Sequence, residues 1–197
     1  MVKFLYCSLL FFPFCLPAQV LPIGQGEEVV VPGQSWERGQ YWEEVRELDG
    51  RFSVSIPATW DEQIDTIETE VGFLAYHTFF LQSPSDQADN AIYMLSYVDY
   101  PEGALHHDST ELVVEFFDVS QEEAIAIVDG ELLFTTDKEK DGFPGRFWRI
   151  DYLDGAASIR TQAYVVGRRF YQIQTIAQQG RGLNDSTERF FESLEFF

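Results

Sequence analysis

The chain has 197 residues and carries 33 acidic against 13 basic residues, a formal net charge of −20. This charge argues against nucleic acid as a partner, because phosphate backbones are bound by Lys and Arg. It argues against an anionic membrane surface for the same reason. Most of the acids, 27, lie in residues 19–142. If binding is the role, the charge favours a cationic partner, although keeping the protein soluble explains it as well.

Residues 1–18 have the pattern of a secretory signal peptide. Lys3 precedes a short apolar run, residues 4–14, and Ala18 is the small residue before a cleavage site. The run is too short for a membrane span, which needs about 20 apolar residues. We therefore predict an exported protein, periplasmic or secreted, with no transmembrane span in the mature chain.

Both cysteines, Cys7 and Cys15, fall within this segment. The predicted mature chain therefore has no disulfide, no thiolate zinc ligand and no cysteine nucleophile. Lipidation of Cys15 is disfavoured, because the bulky residues 12–14 precede it. The remaining length, about 180 residues, is enough for one domain held by its own core.

Residues 19–40 are rich in Gly, Pro and Gln and predict an irregular N-terminal arm or tether. A single α+β domain is predicted over residues 41–197. Three aromatic residues, Trp36, Tyr41 and Trp42, cluster at the junction. We single them out as candidate partner-binding residues, because aromatics are enriched at interface hot spots. Packing of these rings over the sheet edge is the alternative.

Alternating apolar residues and turn signals predict strands along much of the domain. Asp49-Gly50 predicts a hairpin turn, and Pro57 ends its second strand. Further strands are predicted over residues 64–71, 73–82 and 91–100. The last of these is apolar on both alternating faces, so the sheet needs cover on both sides.

Two helical segments could supply that cover. The first begins after Asp108 or Ser109, and a capping-box pattern at residues 120–123 predicts a break in it. A four-stranded meander over residues 130–177 follows, with tight turns that permit only antiparallel neighbours. The last helix has one apolar face, made by Leu183, Thr187, Phe190, Phe191 and Leu194. The order predicts an α+β fold, a largely antiparallel β-sheet covered by helices on both faces.

The candidate chemical motifs are incomplete. Residues 137–142 imitate the start of a calcium loop, but its twelfth position, which requires Glu, is Trp148. His106-His107-Asp108 contains adjacent histidines, which point in different directions unless the loop folds back, so loop solvation is favoured over a metal site. Neither a Gly-x-Ser-x-Gly elbow nor a phosphate-binding loop is present. We therefore expect no catalytic residues, no metal and no cofactor.

Several turn and core motifs resemble the PsbP/Mog-like superfamily. The matching segments are residues 50–57, 97–101, 141–146, 167–172 and 190–194. The resemblance implies an exported bacterial module in which an antiparallel sheet lies between helices. Similar folds serve as photosystem-associated subunits and as binders of a small GTPase, and neither partner transfers with a fold. The superfamily offers no catalytic residues to transfer.

The leading expectation is an exported, non-enzymatic binding or accessory module of the cell envelope, with an unknown envelope protein as its partner. A pocket protein for a small apolar or aromatic ligand is the alternative, motivated by the many aromatic residues. An uncharacterised enzyme is the third reading. A deep apolar cavity beneath the helices would favour the pocket protein, whereas a core filled by Phe and Tyr would favour the binding module.

Overall fold

The computed structural model describes residues 35–197. The predicted signal peptide, residues 1–18, and residues 19–34 of the predicted arm lie outside the described residues. In chain order, the strands and helices are β1 Glu43–Glu47, β2 Phe52–Ile56, β3 Asp61–Thr69, β4 Gly72–Gln82, β5 Ile92–Asp99, α1 Thr110–Val128, β6 Glu131–Lys140, β7 Phe143–Tyr152, β8 Ala157–Val166, β9 Arg169–Gln178, α2 Asp185–Glu192 and β10 Glu195–Phe196.

Seven antiparallel strands form the larger sheet, in the order β3-β4-β5-β9-β8-β7-β6. Two meanders, β3 to β5 and β6 to β9, meet where β5 pairs with β9 and Leu95 lies opposite Ile173. The chain passes from one meander to the other through α1. A second sheet contains β1, β2 and β10, with β2 in the middle.

Helix α1 covers one face of the large sheet. Phe116 and Phe117 pack against the ring of Phe170 in β9, with ring centroids 4.8 and 6.3 Å apart. Arg146 of β7 pairs with Asp118 of the helix and lies over the Phe117 ring. These contacts fix the helix to β7 and β9, because a buried guanidinium needs a paired acid.

The predicted break in α1 does not occur. The hydroxyl of Ser120 donates to the Phe116 carbonyl at 2.7 Å, within the same helix, instead of capping a new one. Such a bond to the carbonyl four residues earlier keeps a serine inside a helix. Within residues 35–197, neither helix has the length and apolar character needed to cross a bilayer.

The opposite face is covered mainly by the small sheet, with the eight-residue α2 as the lesser part. Phe52, Val54 and Ile56 of β2 are buried there, beside Phe190 of α2. Helical cover on both faces is therefore not supported, since residues 35–197 contain two helices and the second layer is largely sheet. The fold is mostly antiparallel β-sheet.

Aromatic rings fill this second layer. The ring of Phe52 is fully buried and meets four neighbouring rings edge-on, at centroid distances of 5.6 to 6.4 Å, from Trp60, Phe79, Tyr97 and Tyr171. Edge-to-face pairs of this kind add stability beyond their buried area. The interior on this side is thus filled by Phe, Tyr and Trp side chains.

The buried face of α2 agrees with the sequence pattern except at one position. Thr187, Phe190, Phe191 and Leu194 are each at most 2% exposed. Leu183 is 74% exposed, because it precedes the helix N-cap. That cap is Asn184, whose side-chain oxygen accepts from the Thr187 amide at 2.7 Å.

A 3-10 turn, Trp36–Gly39, is fixed to the domain by a buried carboxylate. Glu37 is 2% exposed and accepts hydrogen bonds from the amides of Asp89 and Asn90, at 2.8 and 3.1 Å, and from the hydroxyl of Tyr93 at 2.8 Å. Burial, reinforced by the charge of Glu37, raises the pKa of Tyr93, which therefore remains a donor. This turn lies in the stretch predicted as an arm.

We expect Phe190→Ala to lower the free energy of unfolding by about 3–5 kcal/mol, because it removes a fully buried ring that meets Tyr93 at 5.3 Å. Leu183→Ala, in the same segment but exposed, should change it by less than about 0.5 kcal/mol. Urea unfolding of both variants measures the difference. Equal midpoints for the two would show that α2 does not pack through Phe190.

We expect Glu37→Gln to accelerate hydrogen exchange at the Asp89 and Asn90 amides, because an amide accepts fewer hydrogen bonds than a carboxylate. The expected loss of stability is about 1–3 kcal/mol, the cost of leaving buried donors unpaired. Glu44→Gln, at an exposed position of β1, is the matched control. Unchanged exchange at both amides in Glu37→Gln would contradict this role of the carboxylate.

Candidate functional site

A cleft of about 1100 Å³ opens at the end of the large sheet where β5 ends and β9 begins. Several separate segments line it: the turn after β1, the loop after β5, the start of β7, the β8–β9 turn and the residues at and after β10. Clefts formed by several loops on a rigid sheet are common binding sites. The cleft is therefore the candidate functional site.

Three arginines of the lining, Arg51, Arg168 and Arg169, surround the carboxylate of Asp99. Arg169 holds it with two hydrogen bonds, Nε to Oδ1 at 2.7 Å and Nη2 to Oδ2 at 2.5 Å. These bonds hold the pKa of Asp99 below its usual range, and the charges of Arg51 and Arg168 act in the same direction. The base of the cleft is thus a locally cationic region of an acidic protein.

Arg169 is fully engaged, whereas the other two guanidinium groups are not. Its Nη1 donates to the Asp49 carbonyl at 2.6 Å, and its guanidinium lies 4.4 Å from the centre of the Tyr97 ring. Within residues 35–197, the guanidinium groups of Arg51 and Arg168 form no hydrogen bond or ion pair, and both residues are exposed. They are therefore free to bind a ligand.

The position of Arg51 depends on a turn that the sequence pattern identified only in part. The hairpin of β1 and β2 forms as predicted, but its turn has four residues, and the left-handed position falls on Arg51, with φ 53°. Gly50 is required for space, because a Cβ there would lie 2.5 Å from the Phe52 ring. The hydroxyl of Tyr171 donates to the Gly50 carbonyl at 2.7 Å and fixes the turn.

The β8–β9 turn presents Arg168 in a similar way. Gly167 takes the left-handed position, with φ 63°, and its amide donates to Nδ1 of His107 at 3.1 Å. The turn is therefore tied to the loop that follows β5. Arg168, next in the chain, is exposed at the rim of the cleft.

Aromatic rings form the other side of the cleft. Phe196 meets Tyr171 and Phe143 at centroid distances of 4.8 and 6.3 Å. Phe197 is 47% exposed, and the guanidinium of Arg46 lies 4.0 Å from the centre of its ring. The cleft thus places apolar surface beside unpaired positive charge.

The structure does not place Trp36, Tyr41 and Trp42 on one exposed surface. Trp42 is 7% exposed and meets the Tyr93 ring edge-on at 5.9 Å, so packing accounts for it. Trp36 is partly buried against the same aromatic core. Tyr41 alone is largely free, at 90% exposure. Partner binding by these residues stays a prediction, and none of them lines the cleft.

His106 of the histidine pair lines the cleft, and the loop that carries both histidines does fold back. The rings of His106 and His107 lie 4.4 Å apart, and their nitrogens lie within 4.8 Å of an Asp108 carboxylate oxygen. Backbone amides of Asp108 and Gly167 donate to the two Nδ1 atoms. The three side chains could together contact a metal ion, although these contacts already have a structural role in fixing the loop.

The calcium-like segment is the end of a β-hairpin. Strand β6 continues through Lys140, and the turn consists of Asp141 and Gly142, both with positive φ. Asp137 accepts a hydrogen bond from Arg146 at 3.0 Å, and Trp148 is fully buried. Residues 137–142 thus form the end of the hairpin, and Asp137 binds Arg146, the residue that also pairs with Asp118 of α1.

No family profile and no curated protein sequence matches the chain. Among solved structures, the solution structure of cyanobacterial PsbP (CyanoP) from Synechocystis sp. PCC 6803 is similar, with a TM-score of 0.51 and 9% identity, over 79% of this chain and 92% of that one. A crystal structure from Bacteroides thetaiotaomicron VPI-5482 has a TM-score of 0.45 and 15% identity, over 79% of this chain and 48% of that one. Likeness to the cyanobacterial protein at so low an identity bears on the fold alone. This chain has a PsbP-like fold.

Proposed function

We propose that the protein is an exported, non-enzymatic binding or accessory module of the cell envelope. The observation that carries the proposal is the open cleft, in which two unpaired guanidinium groups lie beside exposed aromatic surface. The PsbP-like fold supports an accessory or binding role. Export rests on the pattern of residues 1–18.

A pocket protein for a small apolar or aromatic ligand is the second candidate, favoured by the aromatic side chains that line the cleft, Phe143, Phe196 and Phe197. The location of the cleft favours the first candidate. It opens between turns at the end of the sheet, whereas rings such as Phe52 and Phe117 fill the layers beneath the small sheet and α1. A partner that approaches from outside can therefore reach it without any rearrangement of the core.

We further propose that the partner is an envelope protein with a cationic surface. The net charge is −20, and the edge strand β3 exposes Asp61, Glu62 and Glu68. Net charge acts at long range and speeds encounter with an oppositely charged protein. The cleft would act only at contact, where its own local charge selects the group that enters it.

We expect mature protein, residues 19–197, to capture a partner from envelope extract and to associate with it more slowly as salt is raised. Between 0.01 and 0.15 M salt the screening length falls from about 30 to about 8 Å, so attraction at a distance weakens. Stopped-flow measurement of the association rate tests this. A rate that does not change with salt would contradict the cationic partner and leave solubility as the account of the charge.

We expect no turnover in hydrolysis assays on esters, peptides, phosphates and glycosides, because the cleft is proposed to bind rather than to catalyse. The same purified protein serves for all four substrate classes. Robust turnover that a single substitution in the cleft abolishes would contradict the non-enzymatic part of the proposal.

A further inference from the structure

The geometry points to one partner chemistry for the cleft between Arg51, Arg168 and Phe197. We propose that it binds a peptide segment in which an acidic side chain stands next to an aromatic or aliphatic one. The inference rests on the proposed function and names the part of the partner that enters the site.

The charges of the residues that line the cleft indicate the acidic side chain of the ligand. Counted over side chains, the lining contains three arginines and two acids, Asp99 and Glu102, with His106 also present. Arg169 is already satisfied by Asp99, so the charge that remains lies on Arg51 and Arg168. A carboxylate of a ligand would form charge-assisted hydrogen bonds with these two groups.

The cleft already contains an example of such a contact. Asp99 is bound by two nitrogens of one guanidinium, Nε and Nη2 of Arg169, the geometry in which arginine recognises a carboxylate. A carboxylate from a partner would face the same kind of donor at Arg51 or Arg168.

The aromatic rings that line the cleft indicate the apolar side chain of the ligand. Phe143, Phe196 and Phe197 all line the cleft, and nearly half of the Phe197 surface is exposed. An apolar side chain that covers these rings gains about 25 cal/mol for each Å² of apolar surface removed from water. Because the rings and the free arginines border one cleft, the ligand must present acid and apolar group side by side.

A peptide fits this requirement better than a free small acid. The volume, about 1100 Å³, is above the usual range for small-molecule pockets, and Arg51, Arg168 and Phe197 are all open to solvent. Adjacent residues of an extended segment project to opposite sides of its backbone, so an acidic side chain can reach the arginines while the next, apolar one covers the rings on the other side of the cleft. Such a segment would lie across the cleft with its remaining backbone in water.

The net charge of the protein opposes an acidic ligand at a distance. At 0.15 M salt the screening length is about 8 Å, so distant acids are screened while contacts inside the cleft persist. Binding is therefore best measured at this ionic strength. The probe is a fluorescently labelled hexapeptide with a central Glu-Phe pair, compared with its Gln-Phe and Glu-Ser analogues.

We expect the mature protein to bind the Glu-Phe peptide by fluorescence anisotropy and to bind both analogues about tenfold more weakly. Arg51→Gln and Arg168→Gln should each weaken binding of the Glu-Phe peptide about tenfold, because each removes one charge-assisted contact. Arg38→Gln changes the net charge equally at an exposed arginine outside the cleft and should leave binding unchanged within about twofold. Thermal unfolding confirms that the variants are folded, since neither cleft guanidinium has a partner to lose.

Three results would overturn the inference: no binding of the Glu-Phe peptide, equal binding of the Gln-Phe analogue, or the same loss in Arg38→Gln as in Arg51→Gln. Binding of free 3-phenylpropionate as tightly as the peptide would also overturn it, in favour of a small-molecule ligand. Capture of the envelope partner by an Arg51→Gln/Arg168→Gln variant as efficiently as by the unsubstituted protein would refute the cleft as the partner's binding site and leave a binding role through another surface. If the protein binds the Glu-Phe peptide but captures no partner from envelope extract, the result supports the cleft as a peptide-binding site and contradicts the envelope role.

Discussion

The pairing of β5 with β9 is the interaction on which the rest of the structure depends. This pairing joins the meander of β3 to β5 to the meander of β6 to β9, and no other strand pairing in residues 35–197 connects the two. Both α1 and α2 pack on the sheet that results. The last pair of this ladder places Asp99 opposite Arg169. The strand register that unites the fold therefore also builds the charged base of the cleft, because cross-strand partners lie close enough to interact.

Aromatic packing explains how a sheet without any disulfide among residues 35–197 can support this site. Side chains alternate across β5, so Tyr93, Leu95 and Tyr97 meet the small sheet and α2, while Val98 meets α1. The same layer supports the turn before Arg51, because Tyr171 packs against Phe52 and also donates to the Gly50 carbonyl. Core packing and the position of a proposed binding group are here parts of one arrangement, which follows from the dense packing of protein interiors.

Local patterns predicted much of the fold and little of the site. Hairpins, the two-sided burial of β5 and the buried face of α2 follow from alternation, turn residues and helical spacing, which act over a few residues. β10 was missed because it has two residues and follows α2 directly. The cleft was missed because Asp99 and Arg169, 70 residues apart, meet only through the β5–β9 register. A tight turn before β9 was predicted, but nothing local indicated that Arg168 in this turn would line the same cleft as Arg51.

The buried carboxylate of Glu37 has a geometric consequence for how the cleft is presented. It attaches the first described residues near Tyr93, at the start of β5, whereas the cleft lies beyond Asp99, at the end of that strand. Six residues of extended strand separate these two points by about 20 Å. Glu37 and the cleft therefore lie near opposite ends of β5. The proposed binding surface thus faces away from the turn at Trp36–Gly39.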